Sequence, residues 1–186
     1  MSQIFIISAP SGAGKTTICK KILEQSPNIA YSVSYTTRKP RNGEKHGIDY
    51  YYISVEEFEQ GIKNDKWAEW AKVHDNYYGT SSVFLQKCLN ENTHVLLDID
   101  VQGAKKIMAN FPKTSVPIFI MPPSIEELKH RLTNRQTDSP DVIEKRLNNA
   151  LTEIKHKDDY KHIVVNDQLD LAMNEIIKII ESADEN

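Results

Sequence analysis

IFIISAPSGAGKT, residues 4–16, joins a continuous apolar run to a loop of small residues that ends in Gly-Lys-Thr. An apolar run without alternation is typical of a strand buried on both faces of a parallel sheet. Residues 15–25 then carry apolar side chains at helical spacing. The stretch therefore predicts a strand, a tight loop and a helix in succession, which is the entry to an α/β fold.

The loop matches the P-loop template GxxxxGK[ST] except at its first position, where Ala9 replaces glycine. Small residues let backbone N–H groups approach phosphate oxygens, and the helix N-terminus adds partial positive charge. Lys15 can reach the β- and γ-phosphates of a bound nucleotide, and Thr16 can join a Mg²⁺ shell. The template predicts ATP or GTP binding, and the alternative is a glycine-rich turn that binds nothing. If Ala9 needs a positive φ angle, alanine should cost about 1–2 kcal/mol there.

The rest of the chain repeats strand-like and helix-like segments, which predicts further strand–helix units around a parallel sheet. Strands are predicted at residues 95–99, 116–121 and 162–165, and helices from about Val101, over 124–134 and over 169–180. The alternation of strand-like and helix-like segments is interrupted between Tyr31 and Thr80. Strand patterns occur there at residues 31–35, 50–53 and 67–73, with one short helical pattern between the last two.

The predicted fold class is α/β, a three-layer P-loop fold in one domain over residues 1–186. We expect a parallel core sheet, an inserted lobe of mixed or antiparallel sheet, and a helical lid. The predicted boundaries are 1–33, 81–124 and 156–186 for the core, 34–80 for the lobe and 125–155 for the lid.

Composition limits the partners. The formal net charge of −3 argues against a general nucleic-acid binder, which is usually basic. Cys19 and Cys88 have no CxxC partner, and the histidines lack metal-binding spacing, so both cysteines are predicted to be buried apolar residues. The first residues lack a basic segment, and their apolar run is too short for a signal peptide or membrane helix. We therefore expect a cytoplasmic protein with no membrane partner, whose oligomeric state the sequence leaves open.

A second anion site is predicted in the lobe. Arg38 and Arg41 flank Pro40, and two arginines on a stiffened loop suit bidentate capture of a phosphate dianion. Tyr50 and Tyr78 could each donate a hydroxyl to the same phosphate. The alternative is an ordinary solvated loop rich in arginine and lysine.

Asp98 and Asp100 mark the carboxyl end of the strand predicted at residues 95–99, the edge where ligands bind in open α/β sheets. Alternation places both carboxylates on one side. Asp98 is expected to act near Mg²⁺ or to orient Arg38, and Asp100 to support the acceptor site. An N-cap role for Asp100 on the following helix is the alternative.

Several motifs together resemble the guanylate kinase family. They are SYTTRKPRNGE at residues 34–44 continuing to GIDY at 47–50, Glu69, NYYGT at 76–80, LDIDVQG at 97–103, PPS at 122–124 and VND at 165–167. They follow in order along nearly the whole chain. The resemblance implies ATP-dependent phosphorylation of GMP, and of dGMP, in purine nucleotide metabolism, by direct in-line transfer with Mg²⁺. ATP and GMP are the implied partners.

The resemblance also implies residue roles. GMP would be bound by Ser34, Arg38, Arg41, Glu44, Tyr50, Glu69, Tyr78, Gly79, Thr80, Asp98 and Asp100. ATP would be bound by Ala9, Pro10, Ser11, Gly12, Ala13, Gly14, Lys15, Thr16, Thr17, Arg131, Arg135, Asn166 and Asp167. Catalysis would involve Lys15, Arg38, Arg131, Arg135 and Arg146, and the metal would lie near Thr16 and Asp98, directly or through water.

Chemistry supports the role of Glu69, because guanine offers N1–H and N2–H₂ donors that one carboxylate can accept together. Ser34 is assigned to the same base, and Thr80 could donate to O6. Without the resemblance, Glu69 would be a solvated strand carboxylate. The helical arginines Arg131, Arg135 and Arg146 would be solvated too. A turn with a helix N-cap is the alternative for residues 166–167.

Two other functions fit the same scaffold. One is a peptide-binding scaffold module with a guanylate-kinase-like fold, but such modules typically have a degraded phosphate loop, whereas this chain keeps Lys15 and Thr16. The other is a kinase for a phosphorylated ribose or a different nucleotide. Glu69 with Ser34 and Thr80 favours a guanine base over that alternative.

Overall fold

Strands and helices alternate along most of the protein, as a computed structural model describing residues 2–73, 75–134 and 140–183 shows. The strands are β1 (Ile4–Ser8), β2 (Ile29–Tyr31), β3 (Tyr35–Thr36), β4 (Tyr51–Tyr52), β5 (Trp67–Val73), β6 (Asn76–Ser81), β7 (His94–Asp98), β8 (Ser115–Met121) and β9 (His162–Val165). The helices are α1 (Lys15–Gln25), α2 (Val55–Lys63), α3 (Ser82–Asn90), α4 (Val101–Asn110), α5 (Ile125–Thr133), α6 (Pro140–Ile154) and α7 (Leu169–Ser182).

The larger sheet has, within the described residues, five strands in the order β2-β7-β1-β8-β9, and every adjacent pair is parallel. β1 lies at the centre. Phe5 and Ile7 pack on one face with α1 and α7, whereas Ile4 and Ile6 pack on the other with α3 and α4. Burial on both faces is why this strand is continuously apolar, and the predicted α/β class is confirmed.

A second sheet, in the order β4-β3-β6-β5, is built from residues 35–81. β3 runs parallel to β4, while the β3–β6 and β5–β6 pairs are antiparallel. The sheet is therefore mixed, as predicted for the inserted segment. β5 is an edge strand, so the carbonyl groups on its outer side face away from the sheet.

The single strand predicted at residues 31–35 is wrong. Tyr31 ends β2 and pairs with Leu96 in the core sheet, whereas Tyr35 begins β3 and pairs with Gly79 in the second sheet. Both segments have strand-like composition, but their partners lie far along the chain, so local pattern cannot separate them. Strand β6 and helix α3 were not predicted.

Two helices following β8 form a small structure of their own. α5 and α6 pack through Leu128, Leu132 and Ala150. These helices lie in the segment predicted as the lid. No helix in the described part of the chain combines the length and apolar character needed to cross a bilayer.

Candidate active site

The phosphate loop connects β1 to α1 and requires glycine at its last turn. Gly14 has a φ angle of 94°, and a Cβ there would lie 2.5 Å from Nδ2 of Asn166. That buried amide donates to the carbonyl of Ala13 at 2.7 Å. Asn166, which was predicted to lie on the adenine side, therefore stabilises the phosphate loop through this hydrogen bond. The neighbouring residue Asp167 is exposed.

Alanine fits the first position of the loop. Among the described non-glycine residues, positive φ angles occur at Asp65, Asp75 and Asn92, so Ala9 has an ordinary backbone conformation. The penalty considered for Ala9 does not arise.

Lys15 points from the loop to the carboxyl edge of the sheet. Its Nζ lies 2.7 Å from Oδ1 of Asp98 and donates to the carbonyl of Ile99 at 3.0 Å. Ser8 donates to the same carbonyl at 2.9 Å. Burial alone would lower the pKa of Lys15, but the charge and hydrogen bond of Asp98 outweigh it and raise that pKa. The lysine is therefore a firmly held cation, and Asp98 is paired with Lys15, whereas Arg38 is paired with Glu44.

A cavity adjoins this lysine. We call it the Glu69 cavity; it is lined by Lys15, Ser34, Tyr50, Glu69, Ala71, Val73, Tyr78, Gly79, Asp98, Ile99, Asp100 and Gly103. The phosphate-loop cavity is lined by Ala9, Pro10, Ser11, Gly12, Gly14, Lys15, Thr16, Thr17, Arg41, Asp100, Arg146 and Glu153. Lys15 and Asp100 line both, so the two cavities are neighbours.

Glu69 is a buried carboxylate, with 6% of the residue exposed. Burial raises its pKa to about 7, and the charge of Asp100 adds to this, while a hydrogen bond from Thr80 opposes it. Thr80 is fully buried and donates from Oγ1 to Oε1 of Glu69 at 2.7 Å. Since a hydroxyl has one hydrogen, Thr80 cannot donate to a base while this bond holds. Thr80 supports Glu69 in this arrangement, and its contact with the base stays a prediction.

Glu44 organises the loop that carries Arg38 and Arg41, which we call the arginine loop. Its carboxylate accepts from Arg38 at 2.9 Å, from the Arg41 N–H at 2.7 Å and from the Tyr52 hydroxyl at 2.7 Å. Burial would raise the pKa of Glu44, but these hydrogen bonds lower it to about 2. Both oxygens accept hydrogen bonds from the protein, so Glu44 holds the loop, and its contact with GMP stays a prediction. Tyr52 was not predicted.

Arg38 lies beside aromatic rings, with its guanidinium carbon 5.3 Å from the centroid of the Tyr50 ring. The rings of Tyr50 and Tyr78 are 6.0 Å apart. Arg38, Arg41 and Tyr50 line a third cavity together with Thr16 and Asp98. Tyr50 and Asp98 also line the Glu69 cavity, so the predicted phosphate ligands lie next to the predicted base readers.

Asp100 is the N-cap of α4. Its Oδ1 accepts from the N–H groups of Gln102 and Gly103, each at 2.8 Å. The alternative considered for this residue is thus present in the structure. Its place on both neighbouring cavities is compatible with support of an acceptor as well.

The lid arginines approach the phosphate loop. Arg146 donates to Oγ of Ser11 at 3.0 Å, and Arg131 donates to the carbonyl of Asn166 at 3.1 Å and pairs with Glu127. Arg135, predicted beside Arg131, lies outside the described residues.

Glu153 on α6 was missed. Its Oε2 accepts from the backbone N–H of Ser11 at 3.2 Å, which shows that the loop amide binds an anionic oxygen. Its spacing of seven residues from Arg146, two turns along the same helix face, was the available signal.

A phosphate loop at the carboxyl edge of a parallel sheet, whose lysine also lines a second cavity with a buried carboxylate, is typical of a P-loop nucleotide kinase. The model of the family described as guanylate kinase matches residues 1–183. Guanylate kinase of Geobacter metallireducens is 49% identical over 177 residues, covering 95% of this chain and 87% of the relative. That of Fusobacterium nucleatum is 44% identical over 182 residues, covering 98% and 97%.

A solved structure agrees with these sequences. The crystal structure of guanylate kinase from Anaplasma phagocytophilum matches with a TM-score of 0.83 and 36% identity, covering 98% of this chain and 86% of that one. The chain therefore belongs to the guanylate kinase family.

Proposed function

We propose that this protein transfers the γ-phosphoryl group of ATP to GMP, giving ADP and GDP. The observation that carries the proposal is the position of Lys15, which lines both the phosphate-loop cavity and the cavity of the buried carboxylate Glu69. A base bound at Glu69 would bring its own phosphate toward the nucleotide held by the loop. The same arrangement would accept dGMP.

Glu69 and Ser34 would read the guanine base. The ionised carboxylate accepts from N1–H and N2–H₂ together, whereas adenine offers no such donor pair and would leave a buried charge without partners. Sites built on buried polar groups discriminate strongly for this reason. Thr80 supports the selection by fixing one carboxylate oxygen at 2.7 Å.

The GMP phosphate would be captured by Arg38 and Arg41 with the hydroxyls of Tyr50 and Tyr78. Glu44 keeps Arg38 in place before the substrate arrives, so less side-chain entropy is lost on binding. A phosphate dianion also suits a guanidinium, which can bind two oxygens at once.

Phosphoryl transfer would depend on positioning and charge. The phosphate oxygen of GMP is the nucleophile and needs no general base. Lys15 and the lid arginines, namely Arg131, Arg135 and Arg146, would balance the charge spread over the transferring group in an in-line reaction. Closure of the lid segment 125–155 and the lobe 34–80 over the core would exclude water and prevent ATP hydrolysis.

The residues present fit Mg²⁺. Thr16 offers a hydroxyl and Asp98 a carboxylate on one cavity, and Mg²⁺ prefers such oxygen donors together with substrate phosphates. When bound, the ion neutralises charge on the β- and γ-phosphates. A cytoplasmic location stays a prediction.

A nucleotide panel tests the function. ADP release measured with ATP and GMP, dGMP, AMP, UMP or CMP is expected to be efficient only with the two guanine nucleotides. Equal rates with AMP would overturn the role of Glu69. Absence of acceptor-dependent ADP release would overturn kinase activity and favour a binding protein.

Gly103 gives a separate prediction, because a Cβ there would lie 2.7 Å from Oε2 of Glu69. Gly103→Ala is expected to push the carboxylate aside and raise KM for GMP about tenfold, although alanine usually stabilises helices. Steady-state kinetics check this, with Gln102→Ala on the exposed side of the same helix turn as control. An unchanged KM for GMP would show that the carboxylate has room to adjust.

A further inference from the structure

One face of α4 holds the strand that carries Glu69. Gly103, Lys106 and Asn110, which we call the α4 stripe, are spaced at i, i+3 and i+7 and so lie on one side of the helix. Gly103 adjoins the Glu69 carboxylate. The other two reach the backbone on either side of that residue.

The contacts are with the outer carbonyls of the edge strand. Asn110 donates from Nδ2 to the carbonyl of Ala68 at 3.1 Å, and Lys106 donates from Nζ to the carbonyl of Trp70. The pairing of β5 with β6 is irregular between Trp67 and Glu69, and the two hydrogen bonds show directly that both carbonyls are accessible from α4. β5 has β6 on its other side, so the α4 stripe supplies donors to the outer side.

Lys106 has a second contact on the same strand. Its Nζ lies 4.8 Å from the centroid of the Trp70 ring, a cation–π distance. Lys106 therefore binds both the backbone and the side chain of the residue that follows Glu69. Its neighbour Lys105 contacts His156 and Asp159 instead, away from β5.

We propose that Lys106 and Asn110 are positioning residues for the base-reading carboxylate of Glu69, acting through the backbone carbonyls on either side of it. The inference rests on the proposed function of Glu69. The α4 stripe fixes Glu69 relative to the core sheet, whose loop holds Lys15, and thereby sets the distance between base and phosphoryl donor. Neither positioning residue needs to touch a substrate.

Charge gives Lys106 an additional effect. Two charges at α4 act on Glu69: Asp100 before the helix raises its pKa, and Lys106 on the helix lowers it. The hydroxyl of Thr80 on β6 also lowers it. Removal of the Lys106 charge should therefore raise the pKa of Glu69 further, whereas removal of the neutral Asn110 should not.

The kinetic test compares Lys106→Met with Lys105→Met. Lys106→Met keeps most of the apolar stem but removes the donor and the charge, and is expected to raise KM for GMP about three- to tenfold. The kcat and KM for ATP should stay within about twofold, because the chemistry is not touched. Lys105→Met should leave all three values unchanged, and Lys106→Arg should restore KM for GMP.

The pH profile separates positioning from charge. Recognition needs ionised Glu69, so kcat/KM for GMP falls as the pH falls through the pKa of Glu69 in the free enzyme. In Lys106→Met, the decrease in kcat/KM for GMP should begin at a higher pH than in the wild type. In Asn110→Ala, KM for GMP should rise, but the pH at which kcat/KM decreases should stay the same. Titration of the GMP phosphate is common to all variants and cancels in the comparison.

A double substitution distinguishes the possible failures. In a Glu69→Gln background, Lys106→Met should add less than about a twofold change, because its effect passes through Glu69. If Glu69→Gln alone leaves KM for GMP unchanged, the proposed base-reading role of Glu69 fails, and the present inference fails with it. If Glu69→Gln raises KM but Lys106→Met behaves as Lys105→Met does, only the present inference is overturned. Should Lys106→Met not fold, Asn110→Ala and Lys106→Arg decide by the same criteria.

Discussion

Lys15→Ala is expected to lower kcat by about 10³-fold or more while the fold is kept, because one cation near the transferring phosphoryl group supplies much of the transition-state stabilisation. Lys15 is the described cation that lines both the phosphate-loop cavity and the Glu69 cavity. Its ammonium is already held in place by Asp98 and the Ile99 carbonyl, so little reorganisation is needed when phosphates bind.

The measurement is coupled ADP release at saturating ATP and GMP, with circular dichroism and thermal unfolding to verify the fold. Lys21→Ala is the control, because Lys21 is on the same helix but pairs with Asp170 at the surface, 2.8 Å away. GMP affinity, measured by calorimetry, should change far less than turnover. Near-normal turnover in Lys15→Ala would remove the phosphate loop from the mechanism.

The second large effect is expected from Glu69→Gln, with kcat/KM for GMP falling about 10²-fold or more. The amide has nearly the same shape, but it replaces one acceptor with a donor. If its oxygen keeps the bond from Thr80, its NH₂ group faces the guanine N–H groups and repels them. The loss should lie mainly in KM, since the phosphates and their cations are untouched.

Glu69→Gln also has a stability signature. The folded pKa of about 7 lies above the ordinary value of 4.5, so the folded state binds a proton more tightly than the unfolded state. Wild-type stability should therefore fall as the pH rises from about 4.5 to 7, and this fall should be absent in the variant. Urea unfolding at several pH values measures it, with the exposed Glu24→Gln as control.

The stability of Glu69→Gln above pH 7 and its affinity for GMP together separate a base-reading role of the carboxylate from a structural one. We expect Glu69→Gln to be at least as stable as the wild type above pH 7, because a buried charge is removed. A variant that binds GMP normally would contradict the base-reading role. One that loses stability would instead indicate that the carboxylate mainly holds β5 in place.

Local patterns predicted much of the fold correctly. β1 and α1 could be predicted together because a doubly buried strand and an amphipathic helix have different periods in apolar residues. The split at residues 31–35 could not, because both halves have strand-like composition and differ only in their distant partners. β6 was not predicted for the same reason. Its residues were recognised as part of a family motif, but their strand conformation depends on pairing with distant strands.

The site shows a similar division. Lys15 could be predicted from the phosphate-loop pattern and Glu69 from the family resemblance alone, and the two residues line one cavity. The contacts by which other residues support the site could not be predicted. Glu44 accepts a hydrogen bond from Arg38, Thr80 donates one to Glu69, and Asn166 donates one to the phosphate loop. In each pair, the chain has to fold back before the two groups can meet.

By itself, the sequence determined where the phosphate loop lies, because such a loop needs small residues and a lysine at adjacent positions, and that demand is local. Only the tertiary structure decided that Glu69 is buried on the same cavity as Lys15, and that burial raises its pKa to about 7. Desolvation and hydrogen-bond partners depend on atoms brought together from β5, β6 and α4. A one-dimensional pattern cannot contain that environment, which exists only once the strands have paired.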